Sequence, residues 1–177
     1  MGSPVHVRLA PAGPGPRSTA HALLLDLAGT LVDDPVLDHD EAGRPHIPGL
    51  AVSITYGHHR LAVAASTGGP LGIDLEEFRP RDVGALASRW FDPRELDWLD
   101  RQSDQLPAFL RLWTAKEAVG KALGHGLENG GLRRRMPCGA AGPVPGVAGL
   151  TVMHQELPDA VLAVACSTGS ILCVTET

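Results

Sequence analysis

Cysteine is scarce in this chain, and no spacing pairs or groups the cysteines that it has. Cys138, Cys166 and Cys173 are an odd number with no CxxC spacing, and they lie in the last quarter of the 177 residues. That usage argues against a disulfide framework of the kind found in small secreted domains. We interpret all three as packing residues of a protein kept in a reducing compartment.

Long apolar runs and an excess of positive charge are also missing. No stretch reaches the roughly 18 to 20 consecutive apolar residues that cross a bilayer, and the first residues lack the basic start and apolar core of a secretory signal. With 20 acidic and 15 basic residues, the formal net charge is −5, so nucleic acid and anionic membrane are not expected partners. We expect a cytoplasmic protein in which any anion-binding site is local.

The chain does have the composition of a folded domain. Hydrophobic residues make up 44% of it and charged residues 20%, as is usual for soluble globular domains. Proline and glycine density predicts a flexible leader over residues 1–20 and a surface loop over residues 137–149. The apolar run over residues 21–32 has helical spacing, but its length leaves a buried strand open.

Two similar segments indicate an internal repeat. Residues 61–69 read LAVAASTGG and residues 162–170 read LAVACSTGS, with seven of nine positions identical. Because alanine and valine are abundant here, a chance match is one interpretation; the other is two related halves, each with a strand that ends in a small-residue turn. We favour a single domain of two halves about a pseudo-twofold axis, residues 21–75 and residues 76–177.

The middle of the chain predicts a strand followed by helices. In residues 71–76, LGIDLE, the two-residue period of a strand places the apolar side chains on one face and Asp74 and Glu76 on the other. Residues 82–101 predict a helical region that one Asp-Pro pair interrupts. A proline opens the strongest predicted helix, residues 108–123, which a glycine closes.

Carboxylates and a lysine recur at the ends of these apolar elements. Glu117 and Lys121 lie four residues apart and so share a helix face. An ordinary surface ion pair accounts for them, and solvent-facing strand residues account for Asp74 and Glu76. Taken together, the four residues also suit a hard dication, because magnesium prefers a few carboxylate oxygens with water and phosphate. Since Asp-x-Glu pairs are common, spacing leaves a magnesium and phosphate site as a hypothesis.

Two blocks resemble the signatures of the 4'-phosphopantetheinyl transferase superfamily. GIDLE at residues 72–76 precedes WTAKEAVGKALGHGL at residues 113–127 by about 36 residues, in the family's order and spacing. Gly43-Arg44-Pro45 resembles a Gly-Lys/Arg-Pro motif of the surfactin-type branch. The resemblance covers about residues 40–130. It implies an α+β fold of two similar α/β half-domains, related by a pseudo-twofold axis, with the active site between them.

The resemblance also implies an activity. It is the transfer of the 4'-phosphopantetheinyl group from coenzyme A to a serine of an apo acyl or peptidyl carrier protein, as in polyketide and nonribosomal peptide biosynthesis. The products are the holo-carrier protein and 3',5'-ADP, Mg²⁺ is required, and coenzyme A is the co-substrate. On this basis we expect a cytoplasmic monomer. A noncatalytic carrier-protein or coenzyme A binding module descended from such an enzyme is the alternative from a different functional class.

Matched position by position, the resemblance assigns roles to single residues. Asp74, Glu76 and Glu117 match the magnesium ligands; Glu117 is also the candidate general base, and Lys121 matches the lysine at the phosphate under attack. The residues assigned to coenzyme A are Arg44, Thr55, Tyr56, His58, Asp74, Lys116 and Lys121. Three consecutive arginines after the helix are candidates for contact with an acidic carrier protein, although solvated arginines are the simpler interpretation: Arg133, Arg134 and Arg135.

One segment departs from the family pattern. Where the family reads Asn-x-Ser-His-Ser/Thr, residues 53–57 read Ser-Ile-Thr-Tyr-Gly. Thr55 can replace the serine hydroxyl, but Tyr56 cannot carry the positive charge of an imidazolium; His58 or His59 could compensate. This departure and a short N-terminal section favour the binding module, whereas the three acidic positions with Lys121 favour the enzyme.

Overall fold

The computed structural model describes residues 2–127 and 131–177, which form an α+β fold. The helices are α1 (Pro16–Ala28), α2 (Val83–Trp90), α3 (Pro93–Leu99) and α4 (Gln105–Ala122). The strands are β1 (Val5–Pro11), β2 (Asp38–His39), β3 (Pro45–His46), β4 (Ala51–Tyr56), β5 (Arg60–Ser66), β6 (Leu71–Glu77), β7 (Ala141–Pro143), β8 (Leu150–Leu157), β9 (Ala160–Ser167) and β10 (Leu172–Glu176). The predicted α+β class is confirmed.

Two four-stranded sheets carry the fold, in the orders β10-β1-β5-β4 and β6-β9-β8-β7. The repeated segments form β5 and β9, and each lies inside its sheet between two antiparallel neighbours. The order strand, helix and hairpin occurs twice along the chain, as β1, α1, β4–β5 and as β6, α4, β8–β9. The pseudo-twofold axis stays a prediction.

Two strands, β6 and β10, each pair in a different sheet from the strand that precedes them in the chain. β6 follows β5 in the chain but pairs with β9 in the second sheet, whereas β10 follows β9 but pairs in parallel with β1 in the first. β6 is therefore an edge strand of the second sheet, and it lies next to β4 at the junction of the two sheets. The predicted boundary between residues 21–75 and residues 76–177 stays a prediction.

Residues 1–20 are more regular than the predicted flexible leader. Val5, Val7 and Leu9 are buried in β1 and alternate with partly exposed residues, which is the pattern of a half-buried strand. Pro16 occupies the first turn of α1, where the missing backbone N–H has no partner to lose. The prolines bound these elements instead of preventing them. Helical spacing proves the right interpretation of the apolar run that follows.

Helix α4 packs on the second sheet and supplies much of its core. The helix begins after Asp104, whose carboxylate accepts a hydrogen bond from the Leu106 N–H. Phe109, Leu112 and Val119 are buried in one cluster with residues of β8 and β9. The predicted helix over residues 108–123 is confirmed and begins three residues earlier. The helical region before it is likewise confirmed as α2 and α3.

The last quarter of the chain corrects two expectations. Residues 137–149 include the short strand β7, and Val144 is buried, so this segment is more ordered than a surface loop. Cys166 is buried as a packing residue, but Cys138 and Cys173 are exposed. The packing interpretation is wrong for those two because one lies on the edge strand β10 and the other outside regular structure.

No helix in residues 2–127 or 131–177 is long and apolar enough to span a membrane.

Candidate functional site

Strand β6 and helix α4 approach each other closely at Gly72. A Cβ atom built on Gly72 would lie 2.1 Å from the Ala118 carbonyl oxygen, far inside van der Waals contact. Glycine is the residue that lets one backbone approach another in this way. The approach places the last turn of α4, which carries Lys121, beside the centre of β6, which carries Asp74.

Asp74 and Lys121 form the centre of the candidate site. The Lys121 Nζ atom donates to Asp74 Oδ1 at 2.9 Å and to the Ile73 carbonyl oxygen at 2.9 Å. The Asp74 side chain is buried, whereas Lys121 is partly exposed. The sequence places Lys121 next to Glu117 along the helix, but the structure pairs it with the carboxylate of the neighbouring strand.

Glu117 lies one helical turn before Lys121 and is half-buried. Burial, together with the negative charges of Asp74 and Glu76, raises the pKa of the Glu117 carboxyl to about 7, although the positive charge of Lys121 lowers it in part. A carboxyl group with that pKa exchanges its proton near neutral pH, as a general base must. The charges of Asp74 and Glu76 both act on the Glu117 carboxyl, and the role of the three carboxylates as metal ligands stays a prediction.

Glu76 contributes the third carboxylate and already has a partner. Its Oε2 atom accepts a hydrogen bond from Arg81 Nη2 at 3.0 Å, and both side chains are partly exposed. Within the described ranges, no three histidine, cysteine or acidic side chains are arranged to hold a metal ion. The chemistry of the donor set still fits a hard dication, because Asp74, Glu76 and Glu117 offer only carboxylate oxygens. Burial and the charges of Asp74 and Glu76 together raise the pKa of Glu117, and a bound cation would offset those charges.

A cleft of about 1050 Å³ opens beside this site. Its walls come from α1, the β2–β3 hairpin, β4 and the C-terminal end of α4. One acidic residue, Asp40, is among the lining residues. The basic and imidazole side chains that line the cleft are Arg17, His21, His39, Arg44, His46 and Lys121. This excess of cationic and titratable groups suits an anionic ligand.

Arg44 lies at the edge of this cleft, as its predicted role in binding coenzyme A requires. Its Nη1 atom donates to the Gly124 carbonyl oxygen at 2.7 Å, and its Nε atom donates to Asp40 Oδ2 at 2.6 Å. The backbone and side chain of Arg44 hydrogen-bond to Asp40 and hold the pKa of that carboxyl below its usual range. Arg44 therefore joins the β2–β3 hairpin to the end of α4.

Thr55 is placed differently from its predicted role. Its hydroxyl donates to Asp74 Oδ1 at 3.1 Å and accepts from the Leu75 N–H at 3.2 Å. The side chain is buried and is not among the residues that line the cleft. Its only proton is donated to a carboxylate in this structure, and the binding of coenzyme A by Thr55 stays a prediction.

Tyr56 and His58 lie at a second, smaller pocket. This pocket measures about 260 Å³ and also includes Glu76 and Arg79. Tyr56 is half-exposed and borders both the large cleft and the small pocket. Of the pockets described, His58 borders only the small one, which it shares with Glu76, and it does not line the large cleft. The structure therefore brings Tyr56, but not His58, to the candidate coenzyme A cleft.

Lys116, which was predicted to contact phosphate, does not line the large cleft. Its side chain is fully buried, and its Nζ atom donates to both carboxylate oxygens of Glu95 at 2.8 Å and to the Arg134 carbonyl oxygen at 2.6 Å. The ammonium group also lies 4.9 Å from the centre of the Phe91 ring. All three protons of the ammonium group have partners here. Lys116 thus joins α3, α4 and the segment after α4, and its contact with phosphate stays a prediction.

The three candidate carrier-protein arginines follow α4. Arg133 is exposed, and its guanidinium carbon lies 6.0 Å from the centre of the Trp90 ring. Arg134 and Arg135 are partly buried, and the Arg134 backbone is held by Lys116. Of the three, Arg133 has the side chain most open to a partner. Contact with a carrier protein stays a prediction for all three.

Two buried carboxylates were missed by the sequence reasoning. Glu77 accepts hydrogen bonds from the backbone N–H groups of His59 and Arg60 at 2.7 and 3.1 Å, which fixes the turn that follows Tyr56. Glu95 completes a capping box with Asp92 at the start of α3. Its signal was available in the sequence, because Asp followed three residues later by Glu is typical of such a box. Glu77 had no comparable signal.

The α1 wall of the cleft was missed for a different reason. Arg17 and His21 lie four residues apart in α1 and both face the cleft. Burial, with the nearby charges of His39 and Arg17, lowers the pKa of His21. Residues 1–20 were predicted to be a flexible leader, so the start of α1 at Pro16 was not expected. That helix places these two side chains together.

Comparison with known proteins identifies one family. The model of the 4'-phosphopantetheinyl transferase superfamily matches residues 70–137. That range begins just before β6 and contains α4, so it includes both elements that carry Asp74, Glu76, Glu117 and Lys121.

Individual relatives agree with this match. The chain is 32% identical over 135 residues to the 4'-phosphopantetheinyl transferase HetI of Nostoc sp., covering 70% of this chain and 55% of that protein. It is 30% identical over 121 residues to a putative 4'-phosphopantetheinyl transferase of Haemophilus influenzae, covering 63% of this chain and 52% of that protein. A 4'-phosphopantetheinyl transferase of Bacillus subtilis is 36% identical over 94 residues, or 49% of this chain and 40% of that protein. The chain thus spans about half the length of the first two relatives.

Proposed function

This chain belongs to the 4'-phosphopantetheinyl transferase superfamily, and on that premise we propose that it is an Mg²⁺-dependent holo-carrier-protein synthase. It transfers the 4'-phosphopantetheinyl group of coenzyme A to a serine of an apo acyl or peptidyl carrier protein. The second product is 3',5'-ADP. We expect it to act as a monomer in the cytoplasm, as two related halves with the site between them.

One observation carries this proposal. The Lys121–Asp74 ion pair lies where the end of α4 meets β6, and Lys121 also lines the large cleft with Arg44 and the α1 residues. A ligand in the cleft would therefore extend from a wall rich in positive charge to Lys121, which is hydrogen-bonded to Asp74. Coenzyme A suits such a cleft, because its negative charges lie on a phosphorylated nucleotide and a pyrophosphate, which cationic side chains can bind. Its pantetheine arm is neutral.

The residues at the site match the proton and charge changes of the reaction. The serine oxygen attacks the phosphorus that bears the pantetheine arm, and the anhydride bond breaks so that 3',5'-ADP departs. Glu117, with a pKa of about 7, takes the serine proton directly or through water. Lys121 leaves Asp74 in part to contact the phosphate under attack, where its charge opposes the negative charge that develops.

The proposed metal site uses Asp74, Glu76 and Glu117. Their carboxylates suit Mg²⁺, which when bound would offset negative charge on the pyrophosphate. In that state Lys121 and Arg81, which neutralise Asp74 and Glu76 in this structure, would be free to meet phosphate oxygens or solvent. The carrier protein would approach from the side of Arg133, whose exposed charge suits an acidic partner.

Intact mass spectrometry tests the activity. Apo acyl and peptidyl carrier proteins are incubated with this protein, coenzyme A and Mg²⁺, and a second sample contains a chelator. We expect a mass gain of one phosphopantetheinyl arm that the chelator abolishes. Glu117→Gln and Asp74→Ala should lose the gain, whereas Asp97→Asn, an exposed acidic residue of α3, should keep it. Measurable coenzyme A binding without any mass gain would support the binding-module alternative instead.

A further inference from the structure

The junction between the two sheets is made by side-chain hydroxyl groups. Ser53 and Thr55 lie two residues apart on β4, and their hydroxyl oxygens accept from the N–H groups of Ile73 and Leu75 on β6 at 3.1 and 3.2 Å. All of these residues are buried. The free edge of β6 is thereby satisfied by two hydroxyl groups where another strand would otherwise pair.

The two hydroxyl groups differ in one respect. Thr55 also donates to Asp74 Oδ1 at 3.1 Å. Among the described hydrogen bonds, Ser53 contacts β6 only through the Ile73 N–H. Asp74 Oδ1 therefore lies between Thr55 from β4 and Lys121 from α4, which is 2.9 Å away. Two separate elements thus contact a single carboxylate oxygen.

We propose that Thr55 is a positioning residue that orients the Asp74 carboxylate for a divalent cation. This inference rests on the proposed function, since it concerns the cation that Asp74 would bind. A carboxylate whose one oxygen accepts hydrogen bonds from two separate elements has less rotational freedom, and its other oxygen remains for the cation. The cation then binds without the loss of side-chain rotational freedom that an unrestrained aspartate would suffer.

Lys121 cannot perform this task alone. Its amine is attached to a flexible four-carbon chain, is partly exposed and is the group that the phosphate would draw away during the reaction. Thr55 is buried, β-branched and fixed by the Leu75 N–H, so its hydroxyl stays in place when Lys121 moves. The Thr55 hydrogen bond is then the contact that keeps Asp74 oriented while substrate is bound.

Binding of Mn²⁺ alone tests this role without reference to activity. Free Mn²⁺ is measured by electron paramagnetic resonance during titration of the protein, because manganese accepts the same carboxylate oxygens as magnesium. Thr55→Val keeps the shape of the side chain and removes the hydroxyl. We expect it to weaken Mn²⁺ affinity about tenfold, the lower range for loss of a residue that orients a metal ligand. Thr55→Ser should stay within about twofold of the natural protein.

Ser53→Ala is the matched control. It removes the same kind of buried hydrogen bond to β6, and no hydrogen bond joins Ser53 to Asp74 among those described. We expect Ser53→Ala and Thr55→Val to lower the urea midpoint of unfolding by similar amounts and only Thr55→Val to weaken Mn²⁺ binding. Equal Mn²⁺ affinities for the two variants would overturn the positioning role. Thr55→Ala gives the same comparison if the valine variant is unstable.

The outcome for the natural protein separates this inference from the proposed function. If it transfers the arm with Mg²⁺ and binds Mn²⁺, but Thr55→Val binds Mn²⁺ equally well, only the role of Thr55 is refuted. If it neither transfers the arm nor binds Mn²⁺ with or without coenzyme A, both proposals are refuted.

Discussion

Lys121 and Asp74 join the last turn of α4 to the centre of β6 by one hydrogen-bonded ion pair of 2.9 Å. The Lys121 side chain is 31% exposed and that of Asp74 is 12% exposed, so solvent screens part of their attraction. Pairs of this kind contribute about 1 kcal/mol or less to folding. The pair is important because Lys121 both contacts Asp74 and lines the cleft.

Replacing Lys121 should therefore affect transfer far more than stability. We expect Lys121→Met to lower the rate of transfer about a hundredfold or more, as loss of a donor to developing charge does, and the free energy of unfolding by about 1 kcal/mol or less. Mass spectrometry of the carrier protein and urea unfolding measure the two effects. A normal rate of transfer by this variant would show that Lys121 has no role in the reaction.

The raised pKa of Glu117 predicts a pH-dependent stability. The folded protein holds this proton up to about pH 7, whereas the unfolded chain releases it near the ordinary value of 4.5. The stabilisation from proton binding is complete below about pH 4.5 and is lost as the pH rises through about 7. Glu117→Gln has no such loss.

Urea unfolding in chelator-containing buffer measures this difference. We expect Glu117→Gln to gain stability relative to the natural protein between pH 5 and pH 8, since the variant buries no charge at the higher pH. A stability difference that is the same at both pH values would contradict the raised pKa. Exposed Asp97→Asn serves as the control and should show no change of this kind.

Lys116 should behave in the opposite way to Lys121. Lys116→Met leaves the Glu95 carboxylate buried with only the N–H groups of Asp92 and Met136 as donors. Breaking one side of a buried pair costs about 3 to 5 kcal/mol, which urea unfolding would detect. The double variant Lys116→Met/Glu95→Gln should recover part of that loss because it removes both charges.

Ligand binding distinguishes this structural role from a phosphate contact. At a temperature where Lys116→Met is folded, its affinity for 3',5'-ADP should be within about twofold of the natural protein, because the side chain lies outside the cleft lining. A tenfold weaker affinity for 3',5'-ADP in the folded variant would instead support a contact between Lys116 and phosphate.

Gly72→Ala should separate β6 from α4. The added methyl group would lie 2.1 Å from the Ala118 carbonyl oxygen, and backbone shifts of this kind cost about 1 to 3 kcal/mol. Because Asp74 and Lys121 depend on that approach, transfer should fall as well. Gly139→Ala, where a Cβ has no atom within 4 Å, should leave thermal stability nearly unchanged. Equal melting temperatures for the two variants would contradict the close approach.

Local patterns explain why much of this fold was predictable. The apolar spacing of α4 and the alternation in β6 are properties of consecutive residues, and the structure has both elements. β1 had the same kind of signal in Val5, Val7 and Leu9, but the surrounding proline and glycine residues outweighed it. A short strand between turns keeps its alternating apolar residues, even though the glycine and proline of the adjacent turns give the whole segment the composition of a loop.

The sequence by itself determined the family, the helix that carries Glu117 and Lys121, and the strand that carries Asp74 and Glu76, since these depend on residue order and spacing. Only the tertiary structure decided that Lys121 meets Asp74, that Lys116 meets Glu95 21 residues earlier in the chain, and that the Thr55 hydroxyl donates to Asp74. Each of those contacts joins separate elements of the fold. Helix and strand periods specify which face a side chain occupies, but the packing of whole elements decides what that face touches.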